Sequence, residues 1–215
     1  MKTTIYLIRH SEKINSQLLN NENNKEYYQV RREKIVLSVR GEKKAEALSM
    51  QNELQNLDII FSSNYSRAIQ TAKYFAESQN IIINIDGRFN ERKVGIIPND
   101  NGQIDFKQYY DENIRNPEGE SRKEVADRME EGFWDVINNN KGKRIAVFTH
   151  AAAMTFLLMR WCNLKYIDKD KKTCLEFKNK IIFNKIFDAP EVFKLIIEDN
   201  EILSIENMEF LYRIK

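Results

Sequence analysis

The chain has 215 residues, 42% hydrophobic and 31% charged, with a net charge of +2. This is enough chain for one domain with its own core, and the mixture suits a globular protein. A charge so close to neutral, dispersed along the sequence, excludes a nucleic-acid partner argued from charge; the cluster Lys169-Asp170-Lys171-Lys172 reads as a solvated loop.

Met1 to Thr4 lead into a short apolar run, Thr4 to Ile8, that reads as a buried strand. It is too short for a signal peptide or a membrane span, so a cytoplasmic protein without a membrane partner is expected. Residues Ile14 to Arg32 are polar, with Asn20, Asn21, Asn23 and Asn24 close together, and read as an exposed loop or short insertion. Ser38 can cap a helix running through Ala45 and Leu48 to about Leu54. Asp58 to Phe61 is a second short strand. From Ser66 a helix follows, with Ala68, Ala72, Phe75 and Ala76 on one face. Ile81 to Ile85 is a third strand, and residues 86–103, with Gly87, Gly95, Pro98 and Gly102, form a long loop. Loops of that length are usually functional or disordered.

Ser121 and Glu124 form a capping box at the start of a helix whose apolar stripe is Val125, Met129, Phe133, Val136 and Ile137. Arg144 to Thr149 is a fourth strand, and Ala151 to Cys162 reads as helical. Past Asp188-Ala189-Pro190, two extended runs, Phe193 to Ile197 and Ile202 to Ile205, flank Asp199-Asn200 and suggest a hairpin. Strands alternating with helices imply an α/β fold with a mostly parallel sheet. No repeat or linker divides the chain, so 1–215 reads as a single domain. The two cysteines, Cys162 and Cys174, lack a CxxC pairing or a neighbouring histidine and read as inert reduced thiols. Trp134 and Trp161 are expected in the core.

In open α/β sheets ligands bind beyond the carboxyl ends of the strands. Arg9 and His10 follow the first strand, Ser62, Ser63 and Arg67 follow the second, and His150 follows the fourth. Both histidines of the chain thus fall at one edge of the sheet. Phosphoryl transfer suits this set. A neutral imidazole is a nucleophile toward phosphorus and can hold the group covalently. Guanidiniums match phosphoryl oxygens with paired donors, and helix N-termini add backbone N–H groups. A second imidazole can donate to the same group. The serines are expected to satisfy the turn. A proton donor for the leaving oxygen is still required.

The stretches "LIRHSEK", "FSSNYSRAIQTAKYFAES" and "VFTHAAA" resemble the signatures of the histidine phosphatase superfamily, the phosphoglycerate mutase-like clan. "RFNERKVG", "NPEGESRKEVADRM" and "LSVRGEKKAEAL" are similar to further segments of that family, so the resemblance runs from about residue 4 to 162. It implies a three-layer α/β/α fold with a mostly parallel central sheet. It also implies His10 as the nucleophile and Arg9, Arg67, His150 and Asn15 as phosphate contacts, with Ser16 beside them. Glu91 falls where the family carries its proton donor, with Glu12 and Glu120 as alternatives; beside Arg92, Glu91 could equally be half of a surface ion pair.

Two departures stand out. Ser11 and Ala151 replace the glycines that commonly follow the two histidines, and Lys13-Ile14-Asn15 lacks the tryptophan of the mutase members. The second favours a phosphatase over a mutase. The resemblance therefore implies a metal-independent phosphomonoester hydrolase that forms a phosphohistidine and takes a small phosphorylated metabolite, with no cofactor. A mutase-type phosphotransferase, a protein phosphohistidine phosphatase and a catalytically silent binding module remain as alternatives. Specificity is expected from residues 14–36 and 92–118, where Lys93, Tyr109 and Tyr110 are candidate contacts.

Overall fold

The computed structural model describes residues 1–15, 25–96 and 106–210, with residues 25–28 described through their backbone alone. Ser16, the asparagine cluster at 20–24, Pro98 and Gly102 lie outside the described residues. The strands are β1 (Thr3–Arg9), β2 (Ile59–Ser62), β3 (Ile83–Ile85), β4 (Arg144–Thr149), β5 (Asn163–Ile167), β6 (Thr173–Phe177), β7 (Lys180–Lys185), β8 (Val192–Glu198) and β9 (Glu201–Met208). The α-helices are α1 (Lys25–Lys34), α2 (Val39–Ser49), α3 (Ser66–Gln79), α4 (Arg122–Asn139) and α5 (Ala151–Leu158).

A six-stranded sheet in the order β3-β2-β4-β1-β8-β9 forms the middle layer. Its first four strands are parallel; β8 is antiparallel to β1, and β9 is antiparallel to β8. Alternation along β1 and β4 sends successive side chains to opposite faces. Ile5, Leu7, Ile145 and Val147 pack with the apolar stripe of α4 and with α5. Tyr6, Ile8, Ala146 and Phe148 pack with Leu48 of α2 and Ala68, Ala72 and Phe75 of α3. Both faces are covered, hence the near-continuous apolar runs of the parallel strands. Each large side chain taken fully out of water contributes roughly 1.5–3 kcal/mol.

The caps act as expected. Ser38 Oγ accepts from Gly41 N, and Ser121 and Glu124 make a reciprocal capping box at α4. Asp199 (φ 51°) and Asn200 (φ 62°) turn the β8–β9 hairpin in the left-handed conformation that asparagine and aspartate tolerate. Gly41 has a different constraint: a Cβ there would lie 1.9 Å from the carbonyl oxygen of Glu12. The segment after His10 therefore lies directly against α2.

Several expectations are corrected. The 14–32 stretch is not all loop, because Lys25–Lys34 is helical; its Glu, Gln, Arg and Lys residues are good helix formers although no apolar stripe marks them. Helix α2 ends at Ser49, and the turn Asn52–Leu54 is a separate 3₁₀ element. The third strand begins at Ile83 because Ile81 N instead bonds Ala76 O, closing α3 around left-handed Asn80. The 86–103 loop opens with a 3₁₀ turn, Gly87–Phe89. Helix α5 stops at Leu158, and residues 163–185 form a second, antiparallel sheet, β5-β6-β7, that the sequence did not suggest. Its turn at Lys178 (φ 46°) and Asn179 (φ 64°) resembles the β8–β9 turn. Leu175, Phe177 and Phe183 of this sheet join the core cluster of Ile5, Phe133 and Phe193.

Trp134 and Trp161 lie partly buried against that core, edge-on to each other with centroids 6.2 Å apart. Cys162 and Cys174 are free and buried, and burial pushes the Cys162 thiol up to about 12.

Candidate active site

Strand register brings the site together. Ser62 pairs with Phe148 and Ile8 pairs with Phe148, so β2, β4 and β1 end at one level. The next residues, Ser63, Thr149–His150 and Arg9–His10, therefore share the carboxyl edge of the sheet. Backbone bonds from His10 N to Thr149 O and from Ser63 N to Phe148 O, both 2.9 Å, extend the ladder to this edge.

His10 is buried, and its Nδ1 lies 2.7 Å from Ser11 O. A carbonyl only accepts, so Nδ1 carries the proton and Nε2 keeps its lone pair. Burial, then the charges of Arg67 and Arg9, hold its pKa well below the ordinary 6.5. The imidazole is neutral at physiological pH. Ser11 is turned inward: its N–H donates to Thr71 Oγ1 at 2.9 Å and its hydroxyl to Gly41 O at 2.7 Å. The extra hydroxyl that distinguishes Ser11 from glycine is thus tied to α2.

His150 caps α5 and is fully buried, its ring centroid 5.1 Å from that of His10. Arg67 Nη2 donates to His150 Nδ1 at 3.0 Å, which leaves the proton on Nε2, facing Ser63 Oγ at 2.8 Å. Ser63 in turn donates to Asn90 Oδ1 at 2.8 Å. Burial and the Arg67 charge keep His150 well below its ordinary value. The Tyr65 ring meets His150 edge-on at 4.8 Å, with the Arg67 guanidinium 4.9 Å from its centroid. Ser62 Oγ donates to Ser63 O, so this serine satisfies the turn as expected.

The two arginines approach from different elements. Arg9 Nη1 donates to Phe187 O and Asp188 O at 2.7 and 2.8 Å. Arg67 Nη1 donates to Arg32 O at 2.7 Å. The Nε atoms of both are buried without a hydrogen-bond partner among the described residues. Burial, partly offset by Glu91, lowers Arg67 to about 10, so it stays charged at neutral pH.

Glu91 Oε1 accepts from Arg92 N at 2.9 Å and from Ala153 N, in the first turn of α5, at 3.0 Å. Its charge is felt by Arg9, Arg67 and Lys13, which places it at the same edge. The surface-pair alternative is removed: the Arg92 side chain is buried and bonded to Gln108. The other two carboxylates are committed elsewhere. Glu12 accepts from Ser38 and Lys44, each at 3.0 Å, and these contacts hold it below its ordinary range. Burial raises Glu120, but its bonds to Arg128 outweigh that and keep it ionised.

Arg128 escaped the sequence reading. It is clamped by Glu120 at 2.8 and 3.0 Å and donates to the carbonyls of Arg88, Asn90 and Glu91, the segment that carries the glutamate. Nothing local in the sequence marks it; only the fold brings α4 beneath that segment. Asn90 and Tyr65 were missed for the same reason. Asn15 is exposed, one residue past the backbone bond from Ile14 N to Val36 O. Lys93 N donates to Glu120 Oε2, Tyr109 packs edge-on against Phe156, and Tyr110 OH donates to Ile167 O. The two tyrosines thus hold their segment against α5 and β5, while the Lys93 bond is made by its backbone.

Two buried imidazoles with depressed pKa values tie stability to pH. The unfolded chain binds more protons than the folded one between their folded values and 6.5, so stability rises with pH there and is lost as pH falls. Urea unfolding should show a free energy that declines from pH 6.5 toward pH 5, by up to about 1.4 kcal/mol per unit for each histidine. His150→Gln should flatten that slope. A free energy that is constant or rises over this interval would show that the histidines are not held neutral.

A doubly covered, mostly parallel sheet with paired imidazoles and guanidiniums at its carboxyl edge defines a phosphoglycerate mutase-like α/β protein. The sequence model of the histidine phosphatase superfamily (branch 1) matches residues 5–174, and the chain belongs to that family. Among solved structures, YhfR of Bacillus stearothermophilus is similar over 93% of this chain and 94% of its own, at 20% identity and a TM-score of 0.66. A phosphoglycerate mutase of Bacillus anthracis is 15% identical over 96% of this chain and 92% of its own, with a TM-score of 0.65. A phosphoserine phosphatase of Entamoeba histolytica is 17% identical over 95% and 96%, with a TM-score of 0.62. No functionally curated protein matches the sequence significantly. Among the described residues, no helix is long and apolar enough to cross a membrane.

Proposed function

We propose that the chain, acting as one domain over residues 1–215, is a metal-independent phosphomonoester hydrolase that works through a phosphohistidine on His10. The observation that carries this reading is the neutral His10, its Nε2 lone pair left available by the Nδ1–Ser11 bond, beside Arg9 and Arg67 whose buried Nε–H groups lack partners among the described residues. Nε2 attacks phosphorus and the ester P–O bond breaks. The departing oxygen takes its proton from Glu91. In the second step Glu91 takes a proton from water, the hydroxide attacks phosphorus, and the P–N bond breaks to release phosphate and restore His10. The products are an alcohol and inorganic phosphate.

Arg9 and Arg67 neutralise the phosphoryl oxygens, which is where a preorganised donor stabilises the transition state most. His150 keeps Arg67 aligned through Nδ1, and its Nε2–H reaches the phosphoryl group by exchanging Ser63 Oγ for a phosphoryl oxygen. Asn15 is assigned as a further phosphate contact. The substrate is a small phosphorylated metabolite in a cytoplasmic setting. Similarity to both a mutase and phosphatases leaves hydrolysis supported chiefly by Lys13-Ile14-Asn15, where the mutase tryptophan is missing.

Glu91→Gln tests the assignment, because it keeps the shape and removes the acid. A general acid contributes about 10²–10⁴-fold, most with a poor leaving group. Single-turnover phosphorylation by an alkyl phosphate should slow by about that factor, while an activated aryl phosphate should slow far less. Equal slowing of both esters would remove Glu91 as the donor.

A further inference from the structure

Four successive carbonyls, from Arg88 to Glu91, accept from the side chains of distant elements. Phe89 O accepts from Thr149 Oγ1 at 2.7 Å, and the other three accept from Arg128. Arg128 Nη1 donates to Arg88 O and Asn90 O at 2.7 and 2.9 Å, and Nη2 donates to Glu91 O at 3.3 Å. Nε and Nη2 also donate to the two carboxylate oxygens of Glu120, at 2.8 and 3.0 Å. A guanidinium carries five N–H donors in a rigid fork, and five acceptors match them here. Both charged side chains are largely buried, so the pair is not of the exposed kind that contributes little.

The same segment is held at two further points. A Cβ at Gly132, one turn further along α4, would come within 3.2 Å of Arg88 Cβ and Phe89 Cζ, so the helix lies directly against the segment. Glu120 fixes the downstream end: Oε2 accepts from Lys93 N at 2.8 Å, and Glu120 N donates to Lys93 O at 2.9 Å. The held segment carries two polar side chains of the site. Asn90 Oδ1 ends the chain that runs from His150 through Ser63. Glu91 Oε1 accepts from Arg92 N and from Ala153 N, which leaves Oε2 to carry the proton. The Glu91 carboxyl stands only two methylenes from its backbone, so a shift of that backbone moves the carboxyl off Ala153.

We propose that Arg128 is a positioning residue for proton transfer: anchored by Glu120, its guanidinium fixes residues 88–91 and so holds the Glu91 carboxyl in its donating position. Its five N–H groups are all engaged within the protein, which leaves none for a phosphoryl oxygen. The inference rests on the phosphatase reading, with Glu91 as the proton donor, and adds what keeps that donor in place.

The test is single-turnover phosphorylation of the enzyme by 2-phenylethyl phosphate, a poor leaving group, and by 4-nitrophenyl phosphate, a good one. Arg128→Gln should slow the alkyl ester by about 10²-fold, the scale on which a small misplacement of a reacting group acts. The aryl ester needs little help from an acid and should slow far less. A merely structural loss would slow both alike. In a Glu91→Gln background, Arg128→Gln should add less than about twofold to the slowing of the alkyl ester, because the two residues act as a unit. Arg128→Lys keeps the charge opposite Glu120 but brings three donors to five acceptors, so it should show the same split at smaller size. It decides alone if Arg128→Gln, which leaves Glu120 unpaired, does not fold. Equal slowing of both esters, or full additivity with Glu91→Gln, would overturn the positioning role and leave the phosphatase reading intact. If Glu91→Gln itself slows both esters alike, or neither ester reacts, the reading of Glu91 fails separately, and the Ala153 amide proton then decides. Its NMR resonance lies downfield while it donates to a carboxylate. Glu91→Ala should move it upfield, and Arg128→Lys should move it the same way. An Ala153 resonance unmoved in Arg128→Lys would show that Arg128 does not hold Glu91.

Discussion

Replacing His10 with alanine is expected to abolish turnover, with a loss of at least about 10⁴-fold, the scale on which removal of a covalent nucleophile acts. The side chain is buried and touches Ser11 O through Nδ1, so its removal leaves a small cavity and one carbonyl without its donor. The cost in stability should be modest, and thermal unfolding of the variant should remain cooperative. Rapid quench with labelled substrate should trap a base-stable, acid-labile phosphoenzyme in the wild type and none in His10→Ala. A variant that keeps full activity, or a wild type that never carries phosphate on histidine, would refute the covalent mechanism.

Arg67→Ala should cost about 10²–10³-fold in the rate of enzyme phosphorylation, as for the loss of one preorganised donor at a developing charge. The guanidinium does more than carry charge. It donates to Arg32 O and to His150 Nδ1, and its loss leaves the imidazole without the contact that fixes its tautomer. Arg67→Lys restores the charge but not the fork of donors, so it should recover only part of the rate. The proper control is Arg40, which is 68% exposed on α2 and 3.7 Å from Glu12. An exposed pair of this kind contributes little, so Arg40→Ala should change the rate by less than about twofold. Arg92 is unsuitable for that comparison, because it is buried against Gln108. Equal losses in Arg67→Ala and Arg40→Ala would mean that the phosphoryl pocket lies elsewhere.

The two variants also separate chemistry from folding. His10 and Arg67 occupy the ends of β1 and the start of α3, beyond the apolar stripes that hold the layers together. Activity should therefore fall much further than unfolding temperature in both. The buried alternation of Ile5 and Leu7 against Tyr6 and Ile8 has the opposite character, since changes there act on packing first.

The sequence by itself determined the elements whose cause is local. Ser38, Ser121 and Glu124 announce helix starts because their side chains satisfy N–H groups within three residues. Asp199-Asn200 announces a hairpin because both residues tolerate positive φ. The runs of β1 and β4 read as buried strands because a sheet covered on both faces leaves no polar alternation. Their abrupt ends in Arg9-His10 and Thr149-His150 placed both histidines at one edge.

What needed tertiary structure has no short-range cause. Helix α1 has no apolar stripe, and Ile81 is withdrawn from β3 by a bond back to Ala76. The meander β5-β6-β7 is stabilised by burying Leu175, Phe177 and Phe183 in a core built mostly from distant segments. Tyr65, Asn90 and Arg128 are ordinary residues in the sequence, and the contacts that join them to the site include ones 26, 40 and 85 positions apart. The protonation of the two imidazoles is decided the same way. Ser11 O holds the proton on His10 Nδ1, and Arg67, 83 residues from His150, fixes the opposite tautomer there. A tautomer depends on which donor or acceptor the fold delivers to each ring nitrogen, and only the assembled sheet edge delivers them.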